Sequence, residues 1–366
     1  MADPLCKYFG RCGGCSSQHI DYSVQLENKR LQLERAVGNT VTVFSGQIYS
    51  YRNRMDFIFH EKGLGFRQKR KWYIIVDVEE CKISNSRLNL LLKEVRDFFV
   101  EPDFFDVKKK SGTFRYALIR TPQNDSCISF VLNSDSPRLA QAVEQIKRFS
   151  QESSSASVLV AYVGPCTDSS VSDDFFVVKG SEFLSESFLG KDFFYSSQGF
   201  FQNNHEMAEL MQKYCNDILK SYDTPDSMLL DLYAGVGTFG IINSGLFKDV
   251  VMVESVKQSV AAGEKNISLN NVSNARFVCL DARHLKRLSF PNTFVIADPP
   301  RSGMHPDTIS ALNNLQPKAI AYVSCNVEQL KKDLPKFKGY NVKSAALFDF
   351  FPHTPHCEAV VELVQR

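Results

Sequence analysis

A chain of 366 residues with 43% hydrophobic and 23% charged residues has the make-up of a folded protein of roughly two or three domains, which excludes a mainly disordered chain. No apolar run reaches the roughly 18 to 20 residues of a membrane span and the amino terminus has no apolar signal core, so a cytoplasmic protein is expected, whose ten cysteines serve as metal ligands, catalytic groups or buried thiols rather than disulfides. A formal charge of +2 does not by itself predict a nucleic-acid partner, although Arg67, Lys69, Arg70, Lys71 and Lys108 to Lys110 form local basic clusters that suit phosphates or solvated loop tips equally.

The chain opens on Cys6, Cys12 and Cys15, a C-x5-C-x2-C run with Gly10, Gly13 and Gly14 among them, and a fourth cysteine follows at Cys81. Four thiolates so arranged suit a tetrahedral site for either zinc or a [4Fe–4S] cluster, and the spacing differs from the C-x3-C-x2-C of radical enzymes. A helix is predicted over Tyr22 to Val37, with Tyr22, Leu26, Leu33 and Val37 on one face. From about Thr40 to Tyr195 the texture predicts strands at Asn53 to His60, Tyr73 to Val78, Phe114 to Arg120, Cys127 to Leu132, Val158 to Val163 and Phe175 to Val178. Helical spacing interrupts them at Leu88 to Phe98 and Leu139 to Ile146. This reads as an α+β domain with a mostly antiparallel sheet, and Ser150 to Ser157 reads as an exposed loop. Arg52 and Arg54 share one side of a strand, facing a phosphate backbone or solvent.

Gln198 to Asn204 carries two phenylalanines followed by amides ahead of a helix predicted over His205 to Tyr222, which suits a loop that cups a ligand or a plain helix cap. From Met228 onward seven strands are predicted: Met228 to Leu232, Val250 to Glu254, Arg276 to Leu280, Thr293 to Ala297, Ala319 to Ser324, Val342 to Phe348 and Ala359 to Val364. Their spacing gives a doubly wound, Rossmann-like α/β domain with a mainly parallel sheet. Its first turn, with Gly235, Gly237 and Gly240, spells G-x-G-x-x-G, and Glu254 ends the next strand as an acceptor for ribose hydroxyls. A nicotinamide-dependent oxidoreductase is therefore one reading. Asp298-Pro299-Pro300-Arg301 points instead to a methyltransferase using S-adenosylmethionine, and Arg301 in place of an aromatic argues against methylation of an amino nitrogen. Cys325 leaves a buried strand at its carboxyl end, where open α/β sheets place their chemistry.

Together, the cysteine set, Phe200-Phe201-Gln202, Asp231 to Gly237, Asp298 to Gly303, Ser324-Cys325-Asn326 and Phe351 to Glu358 resemble the RNA uracil-5-methyltransferases of the TrmA/RumA type over nearly the whole chain. The resemblance implies a class I fold, S-adenosyl-L-methionine as donor and a uridine in RNA as acceptor. It also implies a [4Fe–4S] cluster on Cys6, Cys12, Cys15 and Cys81, for which a structural rather than redox-sensing role is favoured because methyl transfer needs no electron. Gln202, Tyr233, Thr238, Glu254, Asp281 and Asp298 match donor-binding positions, Cys325 the nucleophile and Glu358 the proton acceptor. Many iron–sulfur members carry an amino-terminal TRAM barrel, which is not recognisable here.

The implied domains are an iron–sulfur segment and helix over 1–40, a central RNA-binding domain over 41–195 and a catalytic domain over 196–366, in a monomer. The resemblance gives ribosomal RNA a slight preference over a transfer RNA T-loop uridine, flipped out or single-stranded in either case. A non-catalytic RNA-binding iron–sulfur protein on the same scaffold is the remaining alternative. His353, His356 and Cys357 beside Glu358 also admit a metal reading, or a role for a histidine in orienting the glutamate or the RNA. Cys127, Cys166, Cys215, Cys279 and Cys357 are taken as structural thiols.

Overall fold

The computed structural model describes residues 2–287 and 292–366, in two compact units threaded through one another in sequence. Residues 2–21, 47–186 and 196–205 form the first, and residues 22–46, 187–195 and 206–366 the second. The unit borders thus differ from the domain borders of the sequence reading: the helix expected beside the cysteine segment belongs with the carboxyl-terminal unit.

Helix α1 (Tyr22–Val37) and strand β1 (Thr42–Phe44) open the second unit. The chain then builds the first unit from β2 (Arg54–His60), β3 (Gly63–Gln68), β4 (Lys71–Asp77), α2 (Ser86–Phe98), β5 (Phe114–Arg120), β6 (Cys127–Asn133), α3 (Leu139–Glu152), β7 (Ser157–Val163) and β8 (Phe175–Lys179). These seven strands form one sheet in the order β4-β3-β2-β5-β6-β7-β8. Every neighbouring pair is antiparallel except β6 and β7, which run parallel because α3 carries the chain back between them. Helices α2 and α3 close one face over a phenylalanine-rich core that includes Phe57, Phe59, Phe99, Phe114, Phe130 and Phe149. Helix α2 starts where it does because the Asn85 side chain accepts a hydrogen bond from the Leu88 amide at 2.8 Å. The serine-rich stretch predicted as an exposed loop alternates between exposed and buried residues, with Ser150, Ser153, Ser155 and Ser157 buried: the Ser153 hydroxyl donates to Glu94 of α2 (2.9 Å) and that of Ser155 to the Ser157 carbonyl (2.8 Å).

A hairpin, β9 (Phe183–Phe188) and β10 (Lys191–Ser196), spans the stretch in which the chain passes into the second unit and back, and neither strand is predicted from sequence. The second unit continues with α4 (His205–Lys220), β11 (Met228–Leu232), α5 (Thr238–Asn243), β12 (Asp249–Glu254), α6 (Lys257–Leu269), β13 (Ala275–Cys279), β14 (Thr293–Ala297), α7 (Pro306–Leu315), β15 (Ala319–Ser324), α8 (Val327–Asp333), β16 (Tyr340–Phe348) and β17 (Glu358–Gln365). All seven predicted strands are present within two residues of their expected ends, and β1 adds an eighth at the edge, in the order β1-β16-β17-β15-β14-β11-β12-β13. Strands β11 to β15 run parallel and β17 runs against β15 and β16. Leu229, Leu230, Val250 to Val253, Phe294 to Ala297 and Ala319 to Val323 are fully buried, as befits strands covered on both faces. The strand order reverses between β11 and β14, which opens a crevice at their carboxyl ends. Among the described residues no helix is long and apolar enough to cross a membrane.

Candidate active site

Three sheet registers gather the site in the second unit. The β11–β14 ladder ends at Leu232 opposite Ala297, so Tyr233 and Asp298 leave the sheet side by side. The β12–β13 ladder ends at Glu254 opposite Cys279, bringing Glu254 and the segment of Asp281 to the same rim. The β15–β17 ladder ends at Ser324 opposite Ala359, so Cys325 follows the last residue of β15 and Glu358 precedes its partner, near enough for the Glu358 charge to act on the thiol. The thiol and the carboxylate therefore stand at the same end of the sheet.

Each of these residues is held by local chemistry. Tyr233, Gly235 and Gly237 all have positive φ (61°, 55° and 89°), so the backbone after β11 turns sharply ahead of α5. The Gly235 amide donates to Glu254 at 3.0 Å, and the Ser255 and Val256 amides donate to its other oxygen at 2.7 and 2.8 Å, which fixes the carboxylate against the glycine turn. A β-carbon on Gly240 would stand 2.6 Å from the Met252 side chain, so this position is glycine because α5 packs on β12. Asp231 is buried beneath the turn: one oxygen accepts from the Gly240 amide at 2.9 Å, the other has no partner among the described residues, and burial pushes the carboxyl up to about 8.

Cys325 sits on a strand-to-helix turn. Asn326 caps α8 by accepting from the Gln329 amide (3.3 Å), the Asn326 amide donates to the Ser324 hydroxyl (3.2 Å), and its side-chain amide donates to the Arg301 carbonyl (3.0 Å), which links this turn to Asp298-Pro299-Pro300-Arg301. Burial, then the negative charges of Glu358 and Asp298, push the Cys325 thiol up to about 11, while the Arg301 guanidinium opposes them. Burial and Asp298 hold Glu358 well above the carboxylate range, and burial pushes Asp298 up to about 7. A partly buried cluster of two acids and a thiol near one cation is the kind of site in which proton transfers are set by what enters.

Asp281 is engaged by its own neighbour, accepting from Arg283 Nε at 2.9 Å and Nη2 at 2.6 Å, and the Thr238 hydroxyl accepts from Gln212 at 3.1 Å. Gln202 belongs to the first unit, in a loop tied to β2's entry by the Asn53 amide donating to the Asn203 carbonyl (3.0 Å).

Sequence reasoning missed the support behind Glu358. The segment between β16 and β17 is clasped by α1: buried Lys29 donates to Asp349 (2.6 Å) and to the Phe351 carbonyl (3.2 Å), the Tyr22 hydroxyl donates to Asp349 (2.8 Å), and the His353 amide donates to Gln25 (3.1 Å). His353, which has φ 66°, is thereby fixed to α1, its ring nitrogen 3.3 Å from the Gln25 amide. Asp333 is a second such residue, buried and accepting from the Tyr322 hydroxyl, the Met304 amide and Gln329 at 2.8 to 3.2 Å.

In the first unit Cys6, Cys12, Cys15 and Cys81 line one cavity of about 470 Å³, together with Arg52 and Arg54. Burial and their mutual charge push Cys12 to about 11 and Cys15 to about 12, and raise Cys81 as well. Arg54 also pairs with Asp56 at 3.1 Å, so the two arginines flank the cysteines rather than a free sheet face. Among the described residues no three His, Cys, Asp or Glu side chains converge on a point that would hold a metal ion, at the cysteines or at His353, His356 and Cys357.

Comparison with known proteins decides what this arrangement belongs to. Residues 21–366 match the family model described as tRNA (uracil-5-)-methyltransferase. The chain belongs to that family. It is 32% identical over 370 residues to the tRNA (uracil(54)-C(5))-methyltransferase of Pyrococcus abyssi, covering 99% of this chain and 86% of the relative. It is 33% identical over 363 residues to the enzyme of that name from Pyrococcus horikoshii, covering 98% and 85%. The crystal structure of the Pyrococcus abyssi enzyme in complex with S-adenosyl-L-homocysteine superposes with a TM-score of 0.82 at 30% identity, covering 96% of this chain and 86% of that one. This family member is accordingly an S-adenosylmethionine-dependent RNA uracil-5-methyltransferase, and the oxidoreductase and non-catalytic readings fall away. The glycine turn, the fixed Glu254 carboxylate and the buried, half-partnered Asp231 fit that donor.

Proposed function

We propose that this enzyme methylates carbon 5 of a tRNA uridine, at the position the names of its relatives give as uracil 54. This reverses the sequence-based preference for ribosomal RNA: the family model and the named relatives are tRNA enzymes. The reading is supported by Cys325 and Glu358 lying at the same end of the β15–β17 ladder, with the Glu358 charge acting on the thiol.

Bound S-adenosylmethionine supplies an electrophilic methyl group, and Tyr233, Glu254 and Asp298 at the rim, with Thr238 and Asp281, are the residues assigned to hold it. The rest of the chemistry is the chain's own. Cys325 adds as thiolate to carbon 6 of the uracil, which places the ring's electron pair on carbon 5 and makes that carbon nucleophilic. Once carbon 5 bears the methyl group, Glu358, entering this step as carboxylate, takes the remaining proton from it. The carbon–sulfur bond then breaks and Cys325 leaves as thiolate. A buried carboxylate with a raised proton affinity is a strong base once ionised, which suits that role. A stacked base cannot reach such an opening, so the uridine enters flipped out of its stack.

We assign Cys6, Cys12, Cys15 and Cys81 to a structural [4Fe–4S] cluster. The four thiols line one cavity, which supports a shared ligand, and the choice of a cluster over zinc follows the family resemblance. The decisive experiment offers methyl-labelled donor and total RNA from cells lacking the gene. Label is expected in tRNA, with Cys325→Ala inactive and Glu358→Gln leaving protein covalently joined to RNA. Label confined to ribosomal RNA would refute the substrate, and a fully active Cys325→Ala the mechanism.

A further inference from the structure

A second cavity, of about 390 Å³, opens in the first unit between the β3–β4 hairpin, β5 and the loop of residues 104–112. It presents the chain's only tryptophan, Trp72, 56% exposed, at right angles to Tyr73, 47% exposed, with their rings 6.0 Å apart. Two exposed aromatics side by side on an edge strand are unusual in a soluble protein unless they meet something. Cations stand over both: Lys108 Nζ lies 4.1 Å from the Tyr73 ring centre and the Arg67 guanidinium 5.8 Å from that of Trp72. Arg115 lines the same cavity at 5% exposure. Its guanidinium lies over Phe105 (4.2 Å) and donates to the Gly164 (2.7 Å) and Thr167 carbonyls, and its Nε has no partner among the described residues.

The charge around the cavity is one-sided. Of its acids, Asp168 is held by Arg67 at 2.7 Å and by the Tyr116 hydroxyl. Asp106 accepts from the amides of Lys108 and Lys109 (2.8 and 3.1 Å), and only Glu61 faces solvent without such engagement. His60 is tied to Asp77 at 3.0 Å. Against these, Lys69, Arg70 and Lys71 on the hairpin and Lys108, Lys109 and Lys110 on the opposing loop are all exposed. Lysines alone on a sheet edge would serve only to prevent edge-to-edge pairing. An indole and a phenol displayed between two rows of cations instead make the combination that single-stranded nucleic acid recognises: flat faces for bases and charge for the phosphates between them.

We propose that Trp72 and Tyr73 form a stacking platform for unpaired RNA bases, with Lys108, Arg70 and Lys71 along the backbone, as a second contact with the substrate apart from the catalytic opening. The proposal takes RNA as the substrate and deepens that reading. Because Trp72 is the only tryptophan, the intact protein reports on the site directly. Titration with short single-stranded oligoadenylate is expected to quench its fluorescence saturably, with affinity falling steeply as salt rises. Followed by anisotropy of a labelled oligoadenylate, Trp72→Ala is expected to bind about tenfold more weakly or worse, and Trp72→Phe, which keeps a ring, within about threefold of the unaltered chain. Trp72→Ala is also expected to raise KM for the RNA substrate while S-adenosylhomocysteine affinity stays unchanged. Tryptophan emission unmoved at saturating RNA would overturn the proposal. So would equal binding by the unaltered chain and Trp72→Ala, or loss on Arg70→Ala with Lys108→Ala but not on Trp72→Ala, which would mean a charged face without stacking. Oligonucleotide binding is read without methyl transfer, so failure of the tRNA assignment and failure of this site are separate results.

Discussion

Replacing Lys29 by methionine tests whether α1 holds the segment that delivers Glu358. The ammonium is buried, 2.6 Å from an Asp349 carboxylate that is itself fully buried, and removing one partner of such a pair leaves the other charge uncompensated. That costs about 3–5 kcal/mol. The lost bond to the Phe351 carbonyl falls within the same figure, since one neutral bond contributes only about 1 kcal/mol. Replacing both partners, as Lys29→Met with Asp349→Leu, removes the stranded charge and leaves mainly the loss of the Tyr22 hydroxyl bond, so the double variant is expected within about 1–2 kcal/mol of the unaltered chain. Urea unfolding followed by circular dichroism reads the difference, and kcat for methyl transfer is expected to fall in the single variant and largely return in the double one. A single variant destabilised by less than about 1 kcal/mol, or a double variant as unstable as the single, would refute the reasoning.

Three further outcomes are expected. Alkylation of Cys325 by iodoacetamide, read peptide by peptide in the mass spectrometer, is slow at neutral pH, because only the thiolate reacts, and rises about tenfold per pH unit until it levels near pH 11; a plateau near pH 8 would contradict the buried, acid-flanked thiol. Gly240→Ala forces a methyl group against Met252 and costs about 1–3 kcal/mol, with S-adenosylhomocysteine binding weakened about tenfold by calorimetry; unchanged binding would mean that the glycine turn is not the donor site. Anaerobically reconstituted protein carries about four irons per chain, with the visible absorption of a cluster, and Cys81→Ser loses both; stoichiometric zinc in their place would overturn the cluster assignment.

The buried strands were legible because a strand covered on both faces must be apolar throughout, and runs such as Ala319 to Val323 allow little else. Cys325, Glu254 and Asp298 were read from strand ends, whereas Tyr233, Thr238 and Gln202 were assigned only through the family resemblance. Strand β3 was not legible because Gly63 and Gly65 read as breaks, whereas a β-carbon on Gly65 would stand 2.1 Å from the Val76 carbonyl of the neighbouring strand, so glycine is what lets the two strands meet. The face of α1 was misread for a related reason. Its buried positions are Gln25, Lys29, Leu33 and Val37, and two polar residues on that stripe are invisible to a hydrophobic period because their partners, His353 and Asp349, lie more than three hundred residues away. Tyr73 was read as an ordinary strand residue and Trp72 was not singled out, since exposure on an edge leaves no mark in the sequence.

The reversed direction of β17 carries a last consequence. Had it run with its neighbours, its final residue would stand at this rim; running the other way, it offers its first, Glu358, beside the end of β15, which Cys325 follows. Glu358 is thus placed by main-chain pairing with Phe348 of β16 rather than by a loop. A slip of a single rung would turn the carboxylate to the far side of the sheet and leave the sulfur with no companion.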